Sequence, residues 1–186
     1  MAVRAEASKR VQDAIVAATV QIVAREGVSA VTHRRLAAEA GVSLSSTTWH
    51  FATKTDILMA ALRWTAAHEV ARIGEIADRL GDDEFDPEAW AEELAEWLIE
   101  QVTTERESAI ALYRLQIELV GAHELHREWG RGLLGVGERV LHRSDTDIRL
   151  VIAALDGLRL SVILSGEEDV EWLRTAVKRQ LKSLLG

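Results

Sequence analysis

The sequence has no cysteine. Disulfides, thiolate metal sites and cysteine nucleophiles are therefore excluded, and a reducing compartment is compatible with the chain. It has one proline, Pro87, so almost nothing in the backbone opposes helix. No stretch approaches the ~20 apolar residues that a membrane-spanning helix needs. The opening residues, MAVRAEASKR, lack the apolar core of a secretory signal. A soluble, cytoplasmic protein with no membrane partner is expected. Sustained alternation of apolar and polar residues is missing too, which removes the signature of a half-buried strand. Basic residues are outnumbered 22 to 30, for a net charge of −8, which taken alone argues against nucleic acid.

The distribution of charge alters that reading. Residues 1–55 carry seven basic side chains (Arg4, Lys9, Arg10, Arg25, Arg34, Arg35, Lys54) and four acidic ones, a net of +3, which leaves −11 for the rest. A basic head on an acidic body suits a head that meets polyanions, although +3 is small enough to arise by chance.

What fills the chain is apolar residues at every third or fourth position, the period of an amphipathic helix. The fold class is all-α, with about nine helices. Their ends can be read from caps. Helix 1 is expected from Lys9 to Glu26, with Gly27 as its left-handed stop, and Thr32 caps a short helix 2 that ends at Gly41. Ser43 caps helix 3, which stops near Phe51, and Thr53 with Asp56 resembles a capping box that opens helix 4, running to Leu80. GDDEFDPE is a turn in which Asp86 precedes proline at the first position of helix 5, which runs to Val102. Thr104 with Glu107 suggests another capping box for helix 6, to Gly121; helix 7 covers Glu124–His142. Ser144 with Asp147 caps helix 8, to Gly166, and helix 9 runs from Glu168 to Leu185.

Helices 2 and 3 are short and are joined by AGVS, the size and linkage of a helix-turn-helix. Ala37 and Ala40 allow close approach, Gly41 permits the positive φ of a sharp turn, and Val42 anchors it. Helix 3 then presents Ser45, Ser46, Thr47 and Thr48, short polar groups that fit the major groove. The plainer reading is a polar loop with a capped turn.

The run AATVQIVAREGVSAVTHRRLAAEAGVSLSSTTWHFATKTDIL resembles the DNA-binding domain of the tetracycline-repressor family, over about residues 11–62. Gly27, Thr32, Gly41 to Ser43, His50–Phe51 and Lys54 correspond to that family's motif. The resemblance implies an N-terminal three-helix helix-turn-helix domain, residues 1–53. It implies a C-terminal helical ligand-binding and dimerisation domain, residues 54–186. It also implies a ligand-responsive repressor, acting as a homodimer on a near-palindromic operator in double-stranded DNA; the tryptophans of the body lead to the expectation that the effector releasing it is small and largely apolar. The family often has Gly-Thr-Leu-Tyr where this chain has Ser45-Ser46-Thr47-Thr48, so its phosphate-contacting tyrosine is Thr48 here. Either Trp49 compensates or the DNA contacts differ.

The expected DNA-binding residues are Thr32, His33, Arg34, Arg35, Ser43, Ser45, Ser46, Thr47, Thr48, Trp49 and Lys54. Arg34 and Arg35 can contact phosphate, or either can lie on a solvated face or pair with Glu39. His33 can approach phosphate or sit buried. His50 is read as an interior hydrogen-bonding residue. His123 and His126 have i, i+3 spacing but no evident third ligand, so no metal is assigned, and no cofactor.

In the body, Trp64, Trp90, Trp97 and Trp129 are core residues by default, and together they can line an apolar cavity, with His68, Tyr113 and Gln116 in reach. Arg159 and Asp156 interrupt the apolar helix 8; they can pair with each other, face a dimer partner or hold a ligand's polar end. Helix 8 is apolar on two sides: Ile148, Val151, Ile152, Leu155 and Val162 on one, Leu150, Ala154, Gly157 and Leu164 on the other. A helix apolar all round is buried all round. A four-helix dimer contact through helices 8 and 9 is expected, with Leu155, Val162, Trp172, Val177 and Leu181 in it. Gly130, Gly132, Gly135 and Gly137 fall inside helix 7. Either it is irregular there, or another backbone or a ligand comes close, or it is a weak helix held by packing.

Two other functions compete. An all-α enzyme is one, but no nucleophile–base or paired-carboxylate arrangement and hence no catalytic residue is legible. A helix-turn-helix adaptor that binds protein rather than a specific operator is the other.

Overall fold

The computed structural model describes residues 2–81, 86–141, 143–166 and 169–185. These form nine α-helices and no strand: α1 Ala2–Glu26, α2 His33–Ala40, α3 Leu44–His50, α4 Lys54–Leu80, α5 Pro87–Val102, α6 Arg106–Glu118, α7 His123–Leu141, α8 Asp145–Ser165 and α9 Val170–Leu185. None of them is long and apolar enough to cross a membrane. Most of the expected turn after α4, the expected end of helix 7 at His142 and the expected start of helix 9 at Glu168 lie outside the described residues.

The predicted caps largely form. Thr32 accepts from the Arg35 amide at 3.1 Å, and Ser43 from the Ser46 amide at 3.0 Å. Thr53 and Asp56 bond reciprocally: the Thr53 amide donates to Asp56 (2.9 Å) and the Asp56 amide to Thr53 Oγ1 (3.1 Å). Asp86 accepts from the Glu88 and Ala89 amides, and Ser144 from that of Asp147. Two expectations change. Helix α1 begins at Ala2, seven residues before the predicted Lys9. Its first turns lack an apolar stripe and are held by helix-forming Ala, Arg and Glu and a Glu6–Arg10 pair one turn apart. The Thr104–Glu107 box does not form. Thr104 Oγ1 donates to the Glu100 carbonyl instead, and Glu107 is engaged by Arg25 at 3.1 and 3.2 Å.

The chain divides into two compact units, Met1–Ala66 with Glu107–His123, and Ala67–Arg106 with Glu124–Gly186. In the first, α1 packs on α2 and α3. Ile15, Ile22, Val23, Leu36, Phe51, Ile57 and Leu62 are buried, as are Leu112 and Leu115 of α6. Arg114, also on α6, donates to the carbonyls of Val23 and Ala24, both at 2.7 Å. The Val23 carbonyl also accepts from the Gly27 amide at 3.1 Å, so Arg114 adds a second bond there and caps the Ala24 carbonyl at the end of α1.

In the second unit α5 packs on α9, and both meet α8. The core holds Trp90, Leu94, Leu98, Val151, Leu155, Val162, Leu173, Val177 and Leu181, joined by Ile76 of α4 and by Leu134 and Val140 of α7. Helix α7 runs unbroken through its four glycines. The reason is close approach at two of them. A Cβ on Gly132 would lie 3.0 Å from Val70 Cγ2, and one on Gly137 only 2.5 Å from Ile148 Cγ2.

Candidate nucleic-acid interface and ligand cavity

The turn between α2 and α3 is built by Gly41, whose φ of +66° only glycine adopts at little cost. The Val42 amide closes back on the Ala37 carbonyl at 3.0 Å. Ser43 then starts α3, and its Oγ also meets Ser45 Oγ (2.8 Å) and Ser46 Oγ (2.7 Å). Thr48 Oγ1 donates to the carbonyls of Ser45 (3.1 Å) and Leu44 (3.3 Å). Weak helix formers are thus held by capping and by their own side-chain bonds.

The outer face of α3 consists of Leu44, Ser45, Thr48 and Trp49, the indole 75% exposed. Thr47 departs from its expected role as a base reader. It is fully buried, donates to the Leu44 carbonyl (2.8 Å) and meets His33 Nδ1 at 3.3 Å. That bond ties α2 to α3, so Thr47 and His33 orient the helix. His50 is half-buried, with its ring between those of Trp49 and Phe51.

The two arginines of α2 part company. Arg35 is bonded to Glu39 at 2.6 Å and to Glu26 at 2.8 Å, the ion pair anticipated as its alternative. Arg34 and Lys54 are exposed and, among the described residues, have no ion-pair partner within 4.0 Å, so their charge remains available to phosphate. Thr32 is exposed beside them.

The second unit holds a half-open cavity of about 420 Å³. Trp90, Trp97, Trp129 and Arg159 line it, as expected. Trp64, His68, Tyr113 and Gln116 do not. Trp64 and His68 are exposed on α4, on a different face from Glu69 and Ile73, which enter the wall. Tyr113 and Gln116 lie on α6, which belongs to the first unit.

Glu69 is the residue that sequence reasoning missed. Arg159 bonds it at 2.6 Å and Asp156 at 2.7 Å, and the guanidinium sits 5.7 Å from the Trp97 ring centroid. Glu69 and Arg159 are 7% and 2% exposed. Burial pushes the Glu69 carboxyl above its ordinary range, against the pull of Arg159. Its signal was present: Leu62, Glu69, Ile73, Ile76 and Leu80 share one face of α4, and a carboxylate inside an apolar stripe asks for a buried partner. Three buried polar atoms in this wall lack a hydrogen-bond partner: Glu69 Oε2, Trp97 Nε1 and Trp129 Nε1. Trp129 lies close enough to Glu69 to favour its ionised form, but not in hydrogen-bonding geometry.

The expected dimer residues divide as well. Leu155, Val162, Val177 and Leu181 are buried within the chain itself, because they are the inward faces of α8 and α9. Trp172 stays exposed. The outward side of α8, with Leu150, Gly157, Ser161 and Leu164 (76% exposed), is the uncovered one.

The family described as bacterial regulatory proteins, tetR family, matches residues 15–61, and a tetracyclin repressor-like C-terminal domain matches residues 85–186. Multidrug binding protein EbrR, solved with ethidium, is 32% identical, with 91% of this chain and 98% of that one covered and a TM-score of 0.69. A TetR-family member from Streptomyces coelicolor A3 is also 32% identical, with 91% and 97% covered and a TM-score of 0.73. A transcriptional regulator from Rhodococcus sp. Rha1 is 25% identical, with 94% and 95% covered and a TM-score of 0.71. No curated protein matches the chain.

Proposed function

The chain belongs to the tetracycline-repressor family of bacterial regulators, and we propose that it represses transcription as a homodimer on a near-palindromic operator, leaving it when a small, largely apolar molecule fills the cavity. Membership makes it a ligand-responsive DNA-binding regulator, not an enzyme. Residues 1–53 are the DNA-binding part of this reading and residues 54–186 the ligand-binding and dimerisation part.

Contacts divide by role. Arg34, Lys54 and Thr32 meet phosphates, with Lys54 at the amide-rich start of α4. Ser45, Ser46, Thr48 and Trp49 face base edges, while Ser43, Thr47 and His33 hold α3 in register. The outward side of α8, with Trp172 of α9, joins two copies about a two-fold axis, so that paired heads reach major grooves about 34 Å apart.

One observation carries the reading. A single helix, α4, has Lys54 at its start and Glu69 in the cavity wall. Fifteen residues of the same helix separate them. A ligand that displaces the cavity end of α4 changes the position of the other end. Such a ligand must prefer the state that DNA does not, and DNA must then weaken ligand binding by the same factor. That EbrR was solved with ethidium supports an aromatic occupant.

The test is to select bound duplexes from a random pool with the purified protein. Enrichment of an inverted repeat, and its release by a compound that binds the body, is the expected result. Failure to enrich any sequence, together with binding that does not depend on salt, favours the adaptor instead.

A further inference from the structure

Helix α3 lacks the side chains that grip a purine edge through two hydrogen bonds. Leu44–His50 contains no arginine or lysine for guanine and no asparagine or glutamine for adenine. The hydroxyls it does carry are largely committed within the helix. Ser43 Oγ is bonded to the Oγ atoms of Ser45 and Ser46, which uses two of the three hydroxyl protons. Thr48 gives its proton to the carbonyls of Ser45 and Leu44, and Thr47 is buried. Among these side chains, one serine proton and the Trp49 indole N–H are left as donors for the outer face.

What that face shows instead is apolar. Leu44 is 53% exposed, and with the exposed Trp49 it flanks Thr48 and Ser45 around the helix. Apolar bulk laid against phosphate strips water from a charge and returns nothing. In the major groove it has a partner, because the C5-methyl of thymine is the apolar group exposed on a base edge there.

Resting on the reading that α3 enters the major groove, we infer that this head takes its sequence preference mainly from thymine methyls, with Leu44 covering one and Trp49 another. Each half-site then carries thymine, on either strand, at two positions. The information lies in the methyl and not in the donor–acceptor pattern. Leu44 is thereby a specificity-determining residue, although it has no polar atom in its side chain.

The test uses the full chain and the duplex it enriches from a random pool, with each thymine in turn replaced by uracil in both half-sites. Uracil pairs as thymine does and lacks only the methyl. Covering one methyl is worth about fourfold in affinity, so a symmetric pair of replacements at a contacted position should weaken binding about 15-fold. Replacements elsewhere should leave it unchanged. Leu44→Ala should erase the thymine preference at one contacted position and Trp49→Ala at the other, each leaving the second preference in place. Both side chains are exposed, so neither variant opens the core. If every uracil duplex binds as tightly as its parent, the inference is overturned and the DNA-binding reading stands. A cost of uracil that persists unchanged in Leu44→Ala and Trp49→Ala overturns it equally, because it then comes from the DNA and not from these side chains. If no duplex is enriched, the DNA-binding reading and the inference fall together.

Discussion

Gly135 and Gly137 lie two residues apart on α7, yet alanine should act on them in opposite directions. A Cβ on Gly135 meets nothing within 4 Å, and the position is exposed. Only the helix term changes there, so Gly135→Ala should stabilise the chain by about 1 kcal/mol. A Cβ on Gly137 would stand 2.5 Å from Ile148 Cγ2 and 3.4 Å from its Cγ1. Ordinary carbon–carbon contact is about 3.5–4.0 Å, so the overlap is roughly 1 Å. Ile148 is buried in the core and has little room to retreat. Overpacking costs about 1–3 kcal/mol, against the same helix gain of about 1. The two variants should therefore differ by about 1–3 kcal/mol, several degrees in Tm for a chain of this size. Thermal and urea unfolding at one fixed protein concentration measures this, since dimerisation makes Tm concentration-dependent. A cycle with Ile148→Ala isolates the contact: on that background Gly137→Ala should turn from costly to stabilising. If Gly137→Ala stabilises as much as Gly135→Ala in the parent chain, close packing is not why α7 carries glycine there.

Arg34→Ala and Lys54→Ala should weaken binding to every duplex and each lower the salt slope by about one, whereas changes at Ser45, Thr48 or Trp49 should shift sequence preference; competition binding across salt concentrations separates the two, and an unchanged slope in the Arg34, Lys54 double variant refutes the placement. Leu164→Glu should convert a dimer to a folded monomer by sedimentation, because that side chain is outward, while Leu155→Glu should unfold the chain because it is in the core. Glu69 binds its proton more tightly in the folded chain than in the unfolded one. Its contribution is therefore full below the ordinary carboxylate value of about 4.3 and fades as pH rises above it, so Glu69→Gln should flatten the fall of stability with rising pH in urea titrations. An identical pH profile in the parent and variant chains refutes that assignment.

Much of the fold was legible because helix ends are local chemistry. Thr32, Ser43, Thr53, Asp86 and Ser144 bond amides two or three residues away, so neighbouring residues alone disclose them. What the sequence hid was long-range. Glu107 has the spacing of a cap for Thr104, yet it serves Arg25, 82 residues earlier. Tyr113 and Gln116 have the chemistry of a pocket lining but sit on a helix that belongs with α1. The two sides of α8 were both visible as apolar stripes, and only packing tells that Leu155 is inside and Leu164 outside. Thr47 looks like its neighbours Ser46 and Thr48 in sequence, and its burial comes from α3 packing on α1 and α2.

Helix α6 belongs with the N-terminal unit although α5 before it and α7 after it belong to the other. The chain therefore passes between the units three times, within α4, near residues 106–107 and near residues 123–124. This has a consequence for modularity. The DNA-reading segment is not a cassette that can be cut out at residue 53 or 66 and grafted onto another body. Severed there, it would lose Leu112 and Leu115 from its interior and leave the Val23 and Ala24 carbonyls without Arg114. A chimera that changes operator preference has to carry residues 107–123 along with the head, or else keep the head and rewrite only the exposed side chains of α3.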